Sequence, residues 1–93
     1  MSLSIFLGPR FRAIVRDYPK PVRAEIGQAI NNIQSSLGHP HLHAGLAIRK
    51  LAKNCFELRV GLHLRLVFKS DADSILFVFA GTHDEVQRFL KSL

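Results

Sequence analysis

Four residues of this chain, Glu57, Arg59, Arg65 and His83, are of the types that cleavage of an RNA phosphodiester needs when no metal takes part. Such cleavage asks for a base to take the proton of the ribose 2′-hydroxyl, a cation for the crowded phosphorane and an acid for the leaving oxygen. Glu57 is the candidate base, Arg65 with Arg59 the candidate cation, and His83 the candidate acid. The plain alternative is that Glu57 neutralises the two arginines in a surface ion cluster, while His83 is only the second residue of a helix-capping sequence. Anion binding by Arg59 and Arg65, with or without catalysis, needs no more than two guanidinium groups on one face.

Those residues depend on the stretch from Asn54 to Lys69, which reads as a β-hairpin. Apolar residues alternate on both sides of a short turn containing Gly61: Phe56, Leu58 and Val60 before it, Leu64, Leu66 and Phe68 after it. A three-residue turn, Gly61 to His63, pairs Val60 with Leu64, Leu58 with Leu66 and Phe56 with Phe68, so that all six side chains share one face. The same register sets Arg59 opposite Arg65, with Glu57 diagonal to Arg65. Like charges facing each other destabilise a strand pair, and a phosphate or an acidic partner would relieve them. A two-residue turn, Gly61-Leu62, would pair Arg59 with Leu64 and mix the faces.

The other elements follow from spacing and punctuation. Residues 3 to 7 form a short edge strand ended by Gly8-Pro9, and Pro9 opens a helix that carries Phe11, Ile14, Val15 and Tyr18. A second helix, antiparallel to the first, starts near Pro21 with the stripe Val22, Ile26, Ala29, Ile30, Ile33 and Leu37, and Gly38 with Pro40 stops it. Arg10, Arg12, Arg16, Lys20 and Arg23 then make a solvated outer surface. His39, His41 and His43 alternate, but ligands from one extended segment rarely converge on an ion, so a polar loop is expected there. Ala47 to Leu51 reads as a strand, with Ala52 to Asn54 linking it to the hairpin. The unbroken apolar run Ile75 to Ala80 predicts a central strand, in the middle of the sheet and covered on both faces. Thr82-His83-Asp84-Glu85 matches a capping box, and the last helix carries Val86, Phe89, Leu90 and Leu93 on one face. The expected class is α+β: two N-terminal helices, an antiparallel sheet of three to five strands and a C-terminal helix.

Length and charge narrow the choice of partner. Ninety-three residues suit a single domain spanning 1–93, and 47% apolar with 22% charged residues argues against disorder. Thirteen Lys and Arg against seven acids leave a net charge of +6, and no acid lies between Glu25 and Glu57. That acid-free span holds Arg49, Lys50 and Lys53, candidate phosphate contacts beside Arg59 and Arg65, so nucleic acid, a ribosomal surface or an acidic protein segment is the expected partner. Cys55 is the single cysteine, read as core filler in a reducing cytoplasm. The first seven residues are too short for the apolar part of a signal peptide, no stretch approaches a membrane span, and no cofactor is expected.

Taken in order, several short motifs resemble the RelE/ParE superfamily, the small bacterial toxins of type II toxin–antitoxin modules. They are the two-helix start, Ile48-Arg49-Lys50-Leu51, Phe56-Glu57-Leu58-Arg59-Val60-Gly61, Arg65-Leu66-Val67-Phe68 and Gly81-Thr82-His83-Asp84-Glu85-Val86. The resemblance covers nearly the whole chain and implies a cognate antitoxin as partner. Members of the RelE kind cleave messenger RNA on the ribosome; by position Arg65 matches the arginine that holds the scissile phosphate, Arg59 a basic strand position, and His83 the site near the last helix. The chain departs from that pattern where Glu57 replaces a lysine and Gln87 a common tyrosine. ParE-like members instead inhibit DNA gyrase by binding alone, and a catalytically inactive relative would only pair with its antitoxin.

Overall fold

Two left-handed backbone positions bracket the strand Cys55–Val60: Asn54, with φ of 59°, and Gly61, with φ of 64°. Asparagine and glycine are the residues that take this conformation most readily, so each marks a tight reversal of the chain. The computed structural model describes residues 4–36 and 48–93. Its elements are β1 (Ser4–Leu7), α1 (Pro9–Arg16), α2 (Lys20–Ser36), β2 (Ile48–Ala52), β3 (Cys55–Val60), β4 (Leu64–Ser70), β5 (Ser74–Gly81) and α3 (His83–Lys91). His39, His41 and His43, and the expected stop at Gly38 and Pro40, lie outside the described residues.

The hairpin has the register that the alternation predicts: Val60 faces Leu64, Leu58 faces Leu66, Phe56 faces Phe68, and Arg59 faces Arg65. Five strands lie in the order β1-β5-β4-β3-β2, with β1 parallel to β5 and every other pair antiparallel. The middle strand is therefore β4, not β5 as the apolar run suggested. The parallel β1 adds one neighbour outside β5, whereas β3 and β2 stack on the far side of β4.

A bulge explains the run itself. Val67 pairs with Phe79 and Phe68 with Phe77, which leaves Val78 without an opposite residue and inverts the alternation there. Ile75, Phe77 and Ala80 consequently pack on one face and Phe79 on the other, while Leu76 remains 40% exposed. Cover on the second face is incomplete.

Helices α1 and α2 close the first face, where Phe11, Ile26 and Ile33 meet Leu58, Leu66, Phe68 and Phe77. Gly8, the N-cap of α1, donates its backbone N–H to Phe77 O at 2.8 Å. A Cβ at Gly8 would sit 2.9 Å from that same oxygen, so only glycine fits this crossing. On the second face α3 sets Val86 and Phe89 against Cys55, Val67 and Phe79, and the rings of Phe79 and Phe89 stack at 4.5 Å. The predicted fourth apolar contact of α3 is absent: Leu93 lies past the end of the helix and is 70% exposed. Ser92 ends the helix, its hydroxyl donating to Phe89 O at 2.7 Å. Among the described residues no helix is long and apolar enough to cross a membrane.

Candidate functional site

Arg65 belongs to two strand pairs at once. It faces Arg59 across the hairpin and Gly81 across the β4–β5 pair. Gly81 precedes the N-cap Thr82, so the register that places Arg65 also places the start of α3 beside it. The capping box fixes that start: Thr82 Oγ1 accepts from the Glu85 N–H at 3.2 Å, and Glu85 Oε1 accepts from the Thr82 N–H at 2.8 Å. The Thr82 N–H holds the Glu85 carboxyl below its ordinary range. His83 is the first residue of α3 and projects from this anchored end. Leu62, His63, Arg65, Thr82, His83 and Asp84 enclose a surface hollow of about 260 Å³.

Glu57 does not lie on the surface as the ion-cluster reading expected; it is 2% exposed. Its place opposite Val67 explains this, since α3 covers that part of the sheet. The Oε2 atom accepts a hydrogen bond from Arg65 Nη1 at 3.4 Å and lies 3.5 Å from Arg49 Nε. Arg49 thus takes the role foreseen for Arg59, because β2 sets it directly opposite Glu57. Among the described residues, Glu57 Oε1 and Arg65 Nε are buried without a hydrogen-bond partner. The carboxylate is held between two guanidinium groups, and the Arg65 side chain is left 18% exposed, enough to present an edge to the hollow. A buried charge of this kind is costly to uncover: loss of one partner costs about 3–5 kcal/mol where both are buried, and less here because the Arg49 side chain is 59% exposed.

Of the predicted site residues, Arg49, Glu57, Arg59 and Arg65 thus share one face of the sheet, and His83 joins Arg65 at the hollow. Arg59 is exposed. Lys50 pairs with Phe56 and so belongs to the opposite face. Lys53 lies in the β2–β3 turn, at the other end of β3 from the hollow and about 20 Å away at ~3.3 Å per strand residue. Sequence reasoning missed His63. The available signal was its place as the last residue of the hairpin turn, two positions before Arg65.

Two other features carry less chemistry. Burial pushes the Cys55 thiol up, with the charge of Lys69 opposing the shift, so it is a packed side chain rather than a nucleophile. A larger hollow of about 660 Å³ between α1, β5 and α3 is lined by Arg10, Asp17, Tyr18, Glu85 and Arg88 among others. Arg10 lies over the Phe79 and Phe89 rings at 5.0 and 5.4 Å, and burial with the Glu85 charge pushes the Tyr18 hydroxyl up. Its two arginines and two carboxylates balance, and it holds no imidazole.

No family model and no curated protein matches the sequence. Among solved structures the chain is similar to a chain of the RelB–RelE antitoxin–toxin complex from Methanococcus jannaschii, with a TM-score of 0.70 and 21% identity over 90% of this chain and 96% of that one. It is also similar to a chain of the toxin–antitoxin complex RelBE2 from Mycobacterium tuberculosis, at a TM-score of 0.61 and 12% identity over 89% and 100%. A conserved hypothetical protein from Helicobacter pylori follows at 0.56 and 17%, over 90% and 98%. The α+β architecture with a five-stranded mixed sheet is the fold of these RelE-like neighbours.

Proposed function

We propose that this chain is the toxin of a type II toxin–antitoxin pair, an endoribonuclease that cleaves messenger RNA on the ribosome without a metal ion. The observation that carries the reading is the meeting of Arg65 and His83 at one hollow, with Arg65 braced from behind by Glu57. A guanidinium held this way is set to grip a phosphate and to stabilise the extra charge of the phosphorane. Exposed Arg59 beside it, and Arg49 further along the same face, extend the grip along an RNA backbone. His83 supplies the proton transfer. The burial of Glu57 favours a positioning role over proton abstraction, because a base must reach the 2′-hydroxyl. Two of the similar structures are toxin–antitoxin complexes, which supports a cognate antitoxin as partner. An acidic antitoxin segment laid over the same basic face would satisfy the Arg59–Arg65 repulsion and shut the site.

Expression of wild type and Arg65→Ala in growing cells, with primer extension on a reporter transcript, tests this. New cleavage ends that disappear with Arg65→Ala are the expected result. Growth arrest with intact transcripts and an SOS response would move the protein to gyrase inhibition. Absence of arrest would make it an inactive relative that only pairs with its antitoxin.

A further inference from the structure

We infer that His63 is the second proton-transfer group of this site, so that cleavage runs through a pair of imidazoles, His63 and His83, beside the Arg65 guanidinium. The inference rests on the nuclease reading, which leaves one role unfilled. A base and an acid are both needed, and Glu57 is 2% exposed and engaged with Arg49 and Arg65.

The strand register points to the replacement. Arg65 is paired with Gly81 and Leu66 with Ala80, an antiparallel ladder in which each step back along β4 is a step forward along β5. The ladder ends at the Arg65–Gly81 pair: His63 closes the hairpin turn just before β4, and His83 opens α3 just after the N-cap Thr82, so the turn and the helix start meet at one end of the sheet. Both imidazoles do line the same hollow. Its volume of about 260 Å³ falls just below the ~300–1,000 Å³ usual for small-molecule sites, a size for one phosphodiester and its ribose hydroxyl rather than a whole nucleotide.

Imidazole suits both halves of the reaction, since a ring nitrogen can accept a proton in one form and donate it in the other. One imidazole accepts the 2′-hydroxyl proton as O2′ bonds to phosphorus. The P–O5′ bond breaks, and the other, entering as imidazolium, gives its proton to O5′. The products are a 2′,3′-cyclic phosphate and a 5′-hydroxyl, and the two histidines finish with their protons exchanged.

Cleavage of ribosome-bound messenger RNA, followed across pH for wild type, His63→Ala, His83→Ala and Asp84→Asn, tests the pair. Each histidine variant should lower kcat by about 10²–10⁴-fold with KM little changed, and should flatten one limb of a bell-shaped profile. Added imidazole should restore part of the His63→Ala rate, which a purely structural role would not allow. Cleavage by His63→Ala at the wild-type rate, or loss of the limb in Asp84→Asn while His63→Ala keeps it, overturns the inference. Wild type that leaves the transcript intact overturns the nuclease reading instead. NMR titration of the purified protein with inorganic phosphate then still decides the pairing: the imidazole signals of His63 and His83 should move together, and a stationary His63 refutes it.

Discussion

The two faces of this sheet are built on the same strands and end up doing different work. On the face under α1 and α2, every inward residue of the hairpin is apolar, from Phe56 to Phe68, and α2 alone, with 17 residues, is about 25 Å long at 1.5 Å per residue. On the other face α3 has nine residues, about 13 Å, against seven residues and ~23 Å for β4. It starts beside the hairpin turn at Arg65, packs over Cys55, Val67 and Phe79, and leaves Arg59 on β3 exposed. Charge gathers where the cover stops. The long α2 together with α1 fills the first face, and the single nine-residue α3 leaves a charged strip of the second face accessible.

The largest effect that separates the faces should come from the filled one. Phe77 is fully buried, with its ring 5.2 Å from Phe11 and 5.4 Å from Phe68. Phe77→Ala should cost about 3–5 kcal/mol, lost packing and transfer together, measured by denaturant unfolding. A cost below about 1 kcal/mol would mean that this face is not the main source of stability.

Glu57 sits on the boundary between the two regimes. Glu57→Gln keeps the shape but leaves two guanidinium groups facing a neutral amide. The loss should be about 2 kcal/mol, less than the ~3–5 of a fully buried pair because the Arg49 side chain is 59% exposed and can turn to water. Activity should fall as well, through a loosened Arg65. A variant with unchanged stability and unchanged cleavage would remove Glu57 as the brace of that arginine.

How far the sequence discloses this division depends on phase. The hairpin was legible because period-two alternation and a three-residue turn admit one register, and Arg59 opposite Arg65 followed from it. The run Ile75 to Ala80 has no alternation to read, so neither the bulge at Val78 nor the displacement of β5 from the middle could be seen. Alternation assigned Glu57 to the charged face correctly and said nothing of its burial, because burial there depends on where α3 lies rather than on the strand. The same holds for the hollow: Arg65 and His83 were grouped for their chemistry, and their meeting in space rests on the pairing of β4 with β5, two segments joined by the turn at Asp71 to Asp73. His63 had only its two-residue offset from Arg65, a weak signal beside an apolar alternation that gave turn residues no role.

The smallest effect on stability is the one that most sharpens the contrast. On the filled face any truncation opens a cavity, whereas Arg59→Ala on the bare strip removes one of two like charges that face each other across the hairpin. Its stability should stay within about 0.5 kcal/mol of wild type, with the sign in favour of the variant. RNA binding should weaken nonetheless, and because one phosphate contact is lost, the slope of log affinity against log salt should become shallower by about one. Denaturant midpoints and binding at several salt concentrations measure the two quantities on one preparation. If Arg59→Ala instead lost more than about 1 kcal/mol with an unchanged salt slope, the guanidinium would be part of the packing, and the strip would be an extension of the core rather than a surface kept free for a polyanion.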